Sequence, residues 1–341
     1  MSYPLISICI PSYNRPNELG RLLNSVDCNS SEVEIVICED VAPLRDKVRI
    51  VVKSFSVKSD YSVNYHENKT NLGFDGNLRR LVEVASGKYV LFMGDDDVFV
   101  PNRLDQFIKF LKLHCDKPYV LRSYIVQHSN GNTEYFCYLP KSQTLTAGVS
   151  TVAWLFKRSV TICGFTISRE MALKFASNKI DGTLLYQVYL MAQVCLHNNS
   201  IYYDLPFVKC TQEFRKDKPM FGSSKAEKNR YTPGAVSSDN SINFTKAYFE
   251  LTAYLDKLNG INLSKLVLVD ISKYSYPFLS IQRKRGITNF LNYTKRLENE
   301  VGLGCTIYFY IYKWALVLLG EKFCDRIIVM IKRLIGYTPN F

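Results

Sequence analysis

Along the first 115 residues, short apolar runs alternate with stretches in which apolar side chains recur every third or fourth position. The runs at 5–10, 33–38 and 88–93, and a weaker one near 61–66, predict strands. Each precedes a predicted helix. The first opens at Pro16 and carries Leu19, Leu22, Leu23 and Val26; the second follows Pro43 with Val48, Val51, Val52 and Phe55. A third follows Gly76 with Leu78, Leu81, Val82 and Ala85 and ends at Gly87, and a fourth starts at Pro101 with Leu104, Phe107, Ile108 and Leu111. Strands and helices alternating at this spacing imply a doubly wound, mainly parallel sheet that binds ligands at the carboxyl ends of its strands.

The pattern then changes. Tyr119–Val126 and Thr133–Tyr138 flank Ser129-Asn130-Gly131-Asn132, a hairpin turn signal. A strand is predicted at 160–167, helices from 169 and over Leu184–His197, and a strand at Ile201-Tyr202-Tyr203. Residues 213–235 are polar, with Arg215, Lys216, Lys218, Lys225, Lys228 and Arg230 against Glu213, Asp217 and Glu227, and read as a mobile basic loop or linker. The chain beyond 240 reads as helical. The expected organisation is a catalytic domain at 1–212 (halves 1–115 and 116–212), a linker at 213–239 and a helical region at 240–341.

Composition narrows the class. With 47% hydrophobic and 22% charged residues over 341 positions, the chain is globular rather than disordered. Ten cysteines suggest a disulfide framework until their positions are read: they are scattered, form no C-x-x-C pair and sit partly inside apolar runs. They read as reduced, mostly buried thiols of a cytoplasmic protein. Four dispersed histidines make no zinc site. The net charge of +12 raises nucleic acid as a partner, but no nucleic-acid motif and no basic, aromatic strand platform is present.

The most informative segment is Leu91-Phe92-Met93-Gly94-Asp95-Asp96-Asp97. Three successive carboxylates at the end of a buried strand repel one another, and a divalent cation with oxygen ligands, Mn²⁺ or Mg²⁺, would relieve that and hold a diphosphate. A solvated turn capping the next helix is the alternative. Three more strand ends reach the same rim: Pro11-Ser12-Tyr13-Asn14-Arg15, whose Tyr13 suits a nucleobase; Glu39-Asp40, able to accept from a base N–H; and Asn71-Leu72-Gly73-Phe74-Asp75-Gly76-Asn77, whose glycines let backbone approach a ligand. Each alone also serves as a plain cap or turn.

The segments PSYNR, ICED, NLGFDGN and GDDD, in this order, followed by Val98-Phe99-Val100-Pro101-Asn102-Arg103-Leu104, resemble GT-A glycosyltransferases of family 2. Within it they are most similar to the abequosyltransferase-like branch of bacterial polysaccharide and O-antigen sugar transferases. The resemblance spans about 4–210 and is strongest over 4–115. It implies a GT-A fold, Rossmann-like and mainly parallel, and an inverting, metal-dependent transfer of a sugar from a nucleotide-diphosphate donor to a saccharide acceptor. Carried over by residue, Pro11, Tyr13 and Arg15 would line the nucleotide pocket, and Glu39 or Asp40 would contact the base. Asn71, Gly73 and Asn77 would shape the ribose–diphosphate wall, Asp95 would touch ribose or sugar, and Asp96 and Asp97 would serve the metal. The family's first metal-motif aspartate falls either here or on Gly94.

The resemblance also implies a general base, commonly the aspartate of a Glu-Asp pair opening a helix before a Tyr-rich strand. Here Tyr186-Gln187 stands at that place, a departure from the pattern. Asp181, just before the helix, is the nearest carboxylate and is the expected base; an ordinary helix cap is its other reading. The missing pair also supports a non-catalytic nucleotide-sugar-binding or scaffold protein.

Residues 240–341 hold fourteen Lys and Arg against seven Asp and Glu, and the run Ile307–Leu319, interrupted by Lys313, is shorter than a spanning helix needs. With Ile327, Ile328, Met330, Ile331, Leu334 and Ile335 among Arg326, Lys332 and Arg333, residues 304–336 read as amphipathic helices for three fates. They lie peripherally on the cytoplasmic face of an inner membrane, near a polyprenyl-diphosphate-linked acceptor; they pack on the catalytic domain; or they form the seam of a homo-oligomer.

Overall fold

The four apolar runs of the first half become parallel neighbours in one sheet: β1 (Ile6–Ser12), β2 (Val33–Glu39), β3 (Ser62–Glu67) and β4 (Tyr89–Phe92), in the order β3-β2-β1-β4. In this computed structural model, which describes residues 4–128, 131–211, 221–234 and 237–335, β1 pairs with β2 from Ile6↔Val33 to Ser12↔Glu39 and with β4 from Ile6↔Tyr89 to Cys9↔Phe92. Both flanks of the sheet are covered, so β2 is buried along its whole length and reads as a continuous apolar run rather than an alternation. Its one mid-strand carboxylate, Glu34, accepts from Ser7 Oγ at 2.5 Å and Asn64 Nδ2 at 2.8 Å, which answers the cost of its burial. The helices α1 (Pro16–Leu23), α2 (Arg45–Lys58) and α3 (Gly73–Val84) link these strands. All four strands therefore deliver their carboxyl ends to one edge.

The second half adds β5 (Val98–Phe99), α4 (Leu104–Leu113), β6 (Tyr119–Arg122), β7 (Tyr124–Gln127), β8 (Thr133–Phe136), β9 (Gln143–Leu145) and α5 (Val149–Phe156). Next come β10 (Phe165–Ser168), α6 (Arg169–Lys174), α7 (Tyr186–His197), β11 (Ser200–Tyr203) and β12 (Val208–Thr211). The main sheet extends as β4-β10-β6-β11-β9, with β10 antiparallel to both its neighbours, and a small second sheet runs β5-β12-β7-β8. The single strand predicted over Tyr119–Val126 is broken at Ser123, whose N–H turns to the carbonyl of Tyr203 at 2.9 Å. β6 stays in the main sheet and β7 crosses into the second. The strand expected from 160 starts only at Phe165, because the carbonyls of Thr161 and Cys163 are taken by the buried Arg122 guanidinium, each at 2.8 Å. The expected hairpin turn lies partly outside the described residues, at 129–130.

Beyond Ser237 the described chain is helical: α8 (Ser238–Asn259), α9 (Leu263–Lys273), α10 (Tyr276–Arg283), α11 (Ile287–Arg296) and α12 (Ile307–Ile335), the last broken at Gly320, where φ is +74°. Ser237 Oγ caps α8 by accepting from Asn240 N at 3.0 Å. This region docks on α5: the Tyr248 ring lies 5.6 Å from that of Phe156, and Lys157 reaches Asp270 at 3.0 Å.

The basic stretch expected to be mobile is, over 221–234, packed down. Ser224, Glu227 and Tyr231 are buried, and Glu227 holds the N–H groups of Phe74 at 2.7 Å and Gly222 at 2.9 Å. One carboxylate satisfying two backbone donors anchors the segment, a contact that composition does not signal. The charges at Arg215, Lys216, Asp217 and Lys218 lie outside the described residues.

Candidate active site

The carboxyl edge of β1, β2 and β4 opens into a cavity of about 880 Å³. Its walls include ten of the twelve residues singled out from sequence: Pro11, Tyr13, Arg15, Asp40, Asn71, Gly73, Asn77, Asp95, Asp96 and Asp97.

Arg15, beyond β1, organises the acidic turn. Its guanidinium is buried and donates from Nη1 to Asp95 at 3.2 Å and to Asp96 at 2.5 Å, while the Tyr13 N–H donates to Asp95 at 3.2 Å. The repulsion among three carboxylates, which predicted a cation, is thus met in part by an arginine. Burial pushes Asp95 up to about 7 against the pull of Arg15, and lifts Asp97 well above the carboxylate range. At Gly94 a Cβ would stand 2.7 Å from Asp97 Oδ2 and 3.1 Å from Asp96 Oδ1, so a larger residue there would push those two carboxylates aside.

Asp97 stands apart from its two neighbours. Its Oδ1 accepts from Thr211 N at 3.2 Å, and its carboxylate lies within 4.8 Å of the sulfurs of Cys163 and Cys210. The described residues therefore fit a divalent cation at Asp97, with a donor set of one carboxylate and two sulfurs. Asp96, expected as a second ligand, has a carboxylate oxygen engaged by Arg15.

The wall beside the acidic turn is organised by another carboxylate. Asp40 accepts from Leu72 N and Gly73 N, each at 2.8 Å, and from Asn68 Nδ2 at 2.9 Å; burial still raises it, over the opposing effect of those donors. Gly73 sits at φ +75°, and an added Cβ would lie 2.4 Å from Ser224 Oγ. The segment 221–231 is thus laid directly on the glycine loop. Asn77 spans Cys38 O at 3.0 Å and Asn68 at 3.0 Å, tying β2 to α3.

Two of the expected residues stand outside the cavity lining. Glu39 does not line the cavity: fully buried, it accepts from Ala42 N at 2.6 Å, Val41 N at 3.2 Å and Arg45 Nε, which fixes the turn after β2. Asp181 does not line it either. Both its oxygens are held by Arg79, at 2.6 and 2.8 Å.

Asp75 is the residue that the sequence reading missed. It lies inside NLGFDGN, is fully buried, and its carboxylate receives the N–H groups of Gly182, Leu184 and Tyr186, each at 2.9 Å. It thereby holds the turn that opens α7, including Leu184 at a left-handed φ of +65°. The available signal was an acidic residue in a glycine-rich stretch; its partners lie over a hundred residues away. Gln187 takes the place of the expected acidic pair. It lines the cavity, its Nε2 donates to Val160 O at 2.5 Å, and its buried Oε1 has no partner.

A family model described as glycosyl transferase family 2 matches residues 7–161, the stretch that builds most of this rim. Over those residues, fewer than half of the chain, the sequence is similar to glycosyl transferase family 2. Abequosyltransferase RfbV of Salmonella typhimurium is 31% identical over 113 residues, 33% of this chain and 34% of that protein. The Escherichia coli protein WfgD, a UDP-Glc:alpha-D-GlcNAc-diphosphoundecaprenol beta-1,3-glucosyltransferase, is 28% identical over 108 residues, covering 31% of this chain and 41% of its own. These alignments span less than half the length of either relative. The structure of S. aureus TarS 1–349 in complex with UDP-GlcNAc superposes with a TM-score of 0.54 at 17% identity, over 86% of this chain and 76% of that one. That likeness shows the fold. The chain has a GT-A-type core, a mixed and mainly parallel sheet with a helical C-terminal region. Among the described residues no helix is long and apolar enough to cross a membrane.

Proposed function

We propose that this chain is an inverting glycosyltransferase that moves a sugar from a nucleotide-diphosphate sugar to a saccharide acceptor in bacterial surface polysaccharide synthesis. The observation that carries the reading is the convergence, on one cavity, of four loops from the carboxyl edge of the sheet. The base and ribose would lie along Pro11, Tyr13 and Asp40, beside backbone that Gly73 keeps close. Arg15 fixes Asp95 and Asp96 so that the sugar meets an ordered polar wall instead of mobile side chains. A divalent cation at Asp97 would supply the positive charge that the leaving diphosphate requires. Gln187 stands on the cavity wall where an acidic pair is expected, and an amide orients a hydroxyl without taking its proton. The proton goes to a carboxylate of the cavity wall rather than to Asp181.

The acceptor end of the proposal rests on α12. Phe309, Leu316 and Cys324 of that helix are buried, while Ile307, Ile311, Trp314, Leu318, Leu319 and Phe323 remain exposed on a basic region. Such a surface suits a peripheral contact with a membrane carrying a polyprenyl-diphosphate-linked saccharide. WfgD is named for an acceptor of that chemistry. The test has two arms. Thermal-shift titration with UDP, GDP, TDP and CDP, with and without divalent cation, is expected to give a cation-dependent shift with one nucleotide; no shift with any sinks the donor reading. Co-sedimentation with anionic vesicles is expected to fall for Trp314→Glu with Leu318→Glu, and unchanged binding removes α12 from that role.

A further inference from the structure

We infer that Asp97, Cys163 and Cys210 form a seat for a thiophilic divalent cation, of the Zn²⁺ class rather than Mg²⁺. The inference deepens the proposed cation at Asp97 and rests on that reading for its role in transfer, but not for binding itself. Three separate elements supply the ligands: the β4–β5 turn, the residue two before β10, and the middle of β12. Their ligand atoms all lie within 4.8 Å of one another. Two Zn–S bonds of about 2.3 Å at a tetrahedral angle place the sulfurs roughly 3.8 Å apart, so the site needs little movement to close on an ion.

Each ligand is held by a neighbour. Thr211 N donates to Asp97 Oδ1 at 3.2 Å, Arg122 Nε donates to Cys163 O at 2.8 Å, and Thr161 Oγ1 lies 3.8 Å from Cys210 Sγ. Outer partners of this kind fix ligand orientation in metal sites. Arg122 is itself fully buried, with Nη1 unpartnered, and adds one positive charge beside a seat whose three ligands are negative when they bind a metal. Asp97, Cys210 and Thr161 line the cavity, which leaves a side of the seat open to a water or a phosphate oxygen. Three protein ligands with one open position is the arrangement of a working zinc site rather than a closed structural one. Mg²⁺ takes oxygen ligands in an octahedron, and two of the three donors here are sulfur.

The test uses the full chain carrying Cys115→Ser and Cys305→Ser, which removes the two exposed thiols, under a phosphine reductant. Titration with Co²⁺ alone is expected to give a near-ultraviolet sulfur-to-cobalt charge-transfer band and the visible bands of a tetrahedral ion, displaced by Zn²⁺ and not by excess Mg²⁺. Cys210→Ser should abolish most of the charge transfer and weaken binding by more than the roughly 10–100-fold that loss of a supporting residue costs. Cys163→Ser should do the same; Cys163 is fully buried, so if that variant fails to fold, Cys210→Ser decides. No charge-transfer band from the reduced protein, or a band that survives Cys210→Ser, overturns the inference. Nucleotide thermal shifts run in parallel separate the two readings. A missing band with an intact nucleotide shift rejects the thiolate seat alone, and a band without any nucleotide shift rejects the donor pocket alone.

Discussion

Two arginine–aspartate groupings flank the same cavity region and do opposite work. At the end of β1, Arg15 is sunk among Asp95 and Asp96, with its side chain 6% exposed, and all three line the cavity. At the junction of α3 with the loop before α7, Arg79 grips Asp181 outside the cavity, with side chains 20% and 25% exposed. In sequence the two aspartate positions look equally suited to chemistry. What separates them is where the strand ends point. Parallel strands carry their carboxyl termini to one edge, so a polar residue just past β1 or β4 is brought to the site by topology. A residue before a helix in the second half has no such constraint, and its place depends on long-range packing.

The largest break in that comparison should come from Arg15→Ala. Removing one partner of a buried ion pair leaves uncompensated charge, a loss of about 3–5 kcal/mol. Urea denaturation is expected to show a drop of that size together with loss of nucleotide binding. A variant of near wild-type stability would mean that the acidic turn is neutralised by other means.

Next is Asp75→Ala. It strands three buried N–H groups at the start of α7, at about 1–3 kcal/mol for the first and less for the others as water enters. Asp75→Asn, which keeps an acceptor oxygen, should lose less. Burial raises the folded Asp75 carboxyl to about 7, whereas an unfolded one titrates near 4. The folded state therefore keeps a proton that the unfolded state releases across that window. The stability this contributes is complete below about pH 4 and is lost as pH rises through 7. Wild-type melting temperature should fall relative to Asp75→Asn between those limits, and parallel curves would place the carboxylate's titration elsewhere.

Gly73→Ala comes third. A left-handed φ costs a side chain of order 1–3 kcal/mol, and here the new Cβ also meets Ser224. The expected result is a modest loss of stability with weaker nucleotide binding, because the 221–231 segment must lift from the glycine loop. Unchanged binding would show that this contact does not shape the pocket.

These cases show what was legible. The first half could be read because its signals are local: six-residue apolar runs, Pro16 at a helix start, glycines at 73 and 94, carboxylates at a strand end. Between the alternatives Glu39 and Asp40 the sequence could not choose, because adjacent residues at a strand end face different ways, and of the two Asp40 lines the cavity. The other failures share a long-range cause. Nothing near Asp75 names its partners at 182–186, and nothing near Cys163 places it beside Cys210 and Asp97, since that meeting requires two sheets to pack. α5 escaped notice because a helix apolar on nearly every side carries no stripe.

The smallest expected effect decides the most about mechanism. Asp181→Asn removes one charge from a partly exposed pair with Arg79, and such pairs contribute about 0.2–1 kcal/mol. The helix it precedes is held by Asp75, so α7 and Gln187 should keep their places. If Asp181 were the base, its amide would lower turnover by the roughly 10²–10⁴-fold that positioned proton transfer supplies, with nucleotide binding intact. The geometry predicts instead that transfer persists within a few-fold. A drop of several hundred-fold at unchanged stability and unchanged nucleotide binding would restore Asp181 to the site, and would require the Arg79 pair to open when the acceptor binds.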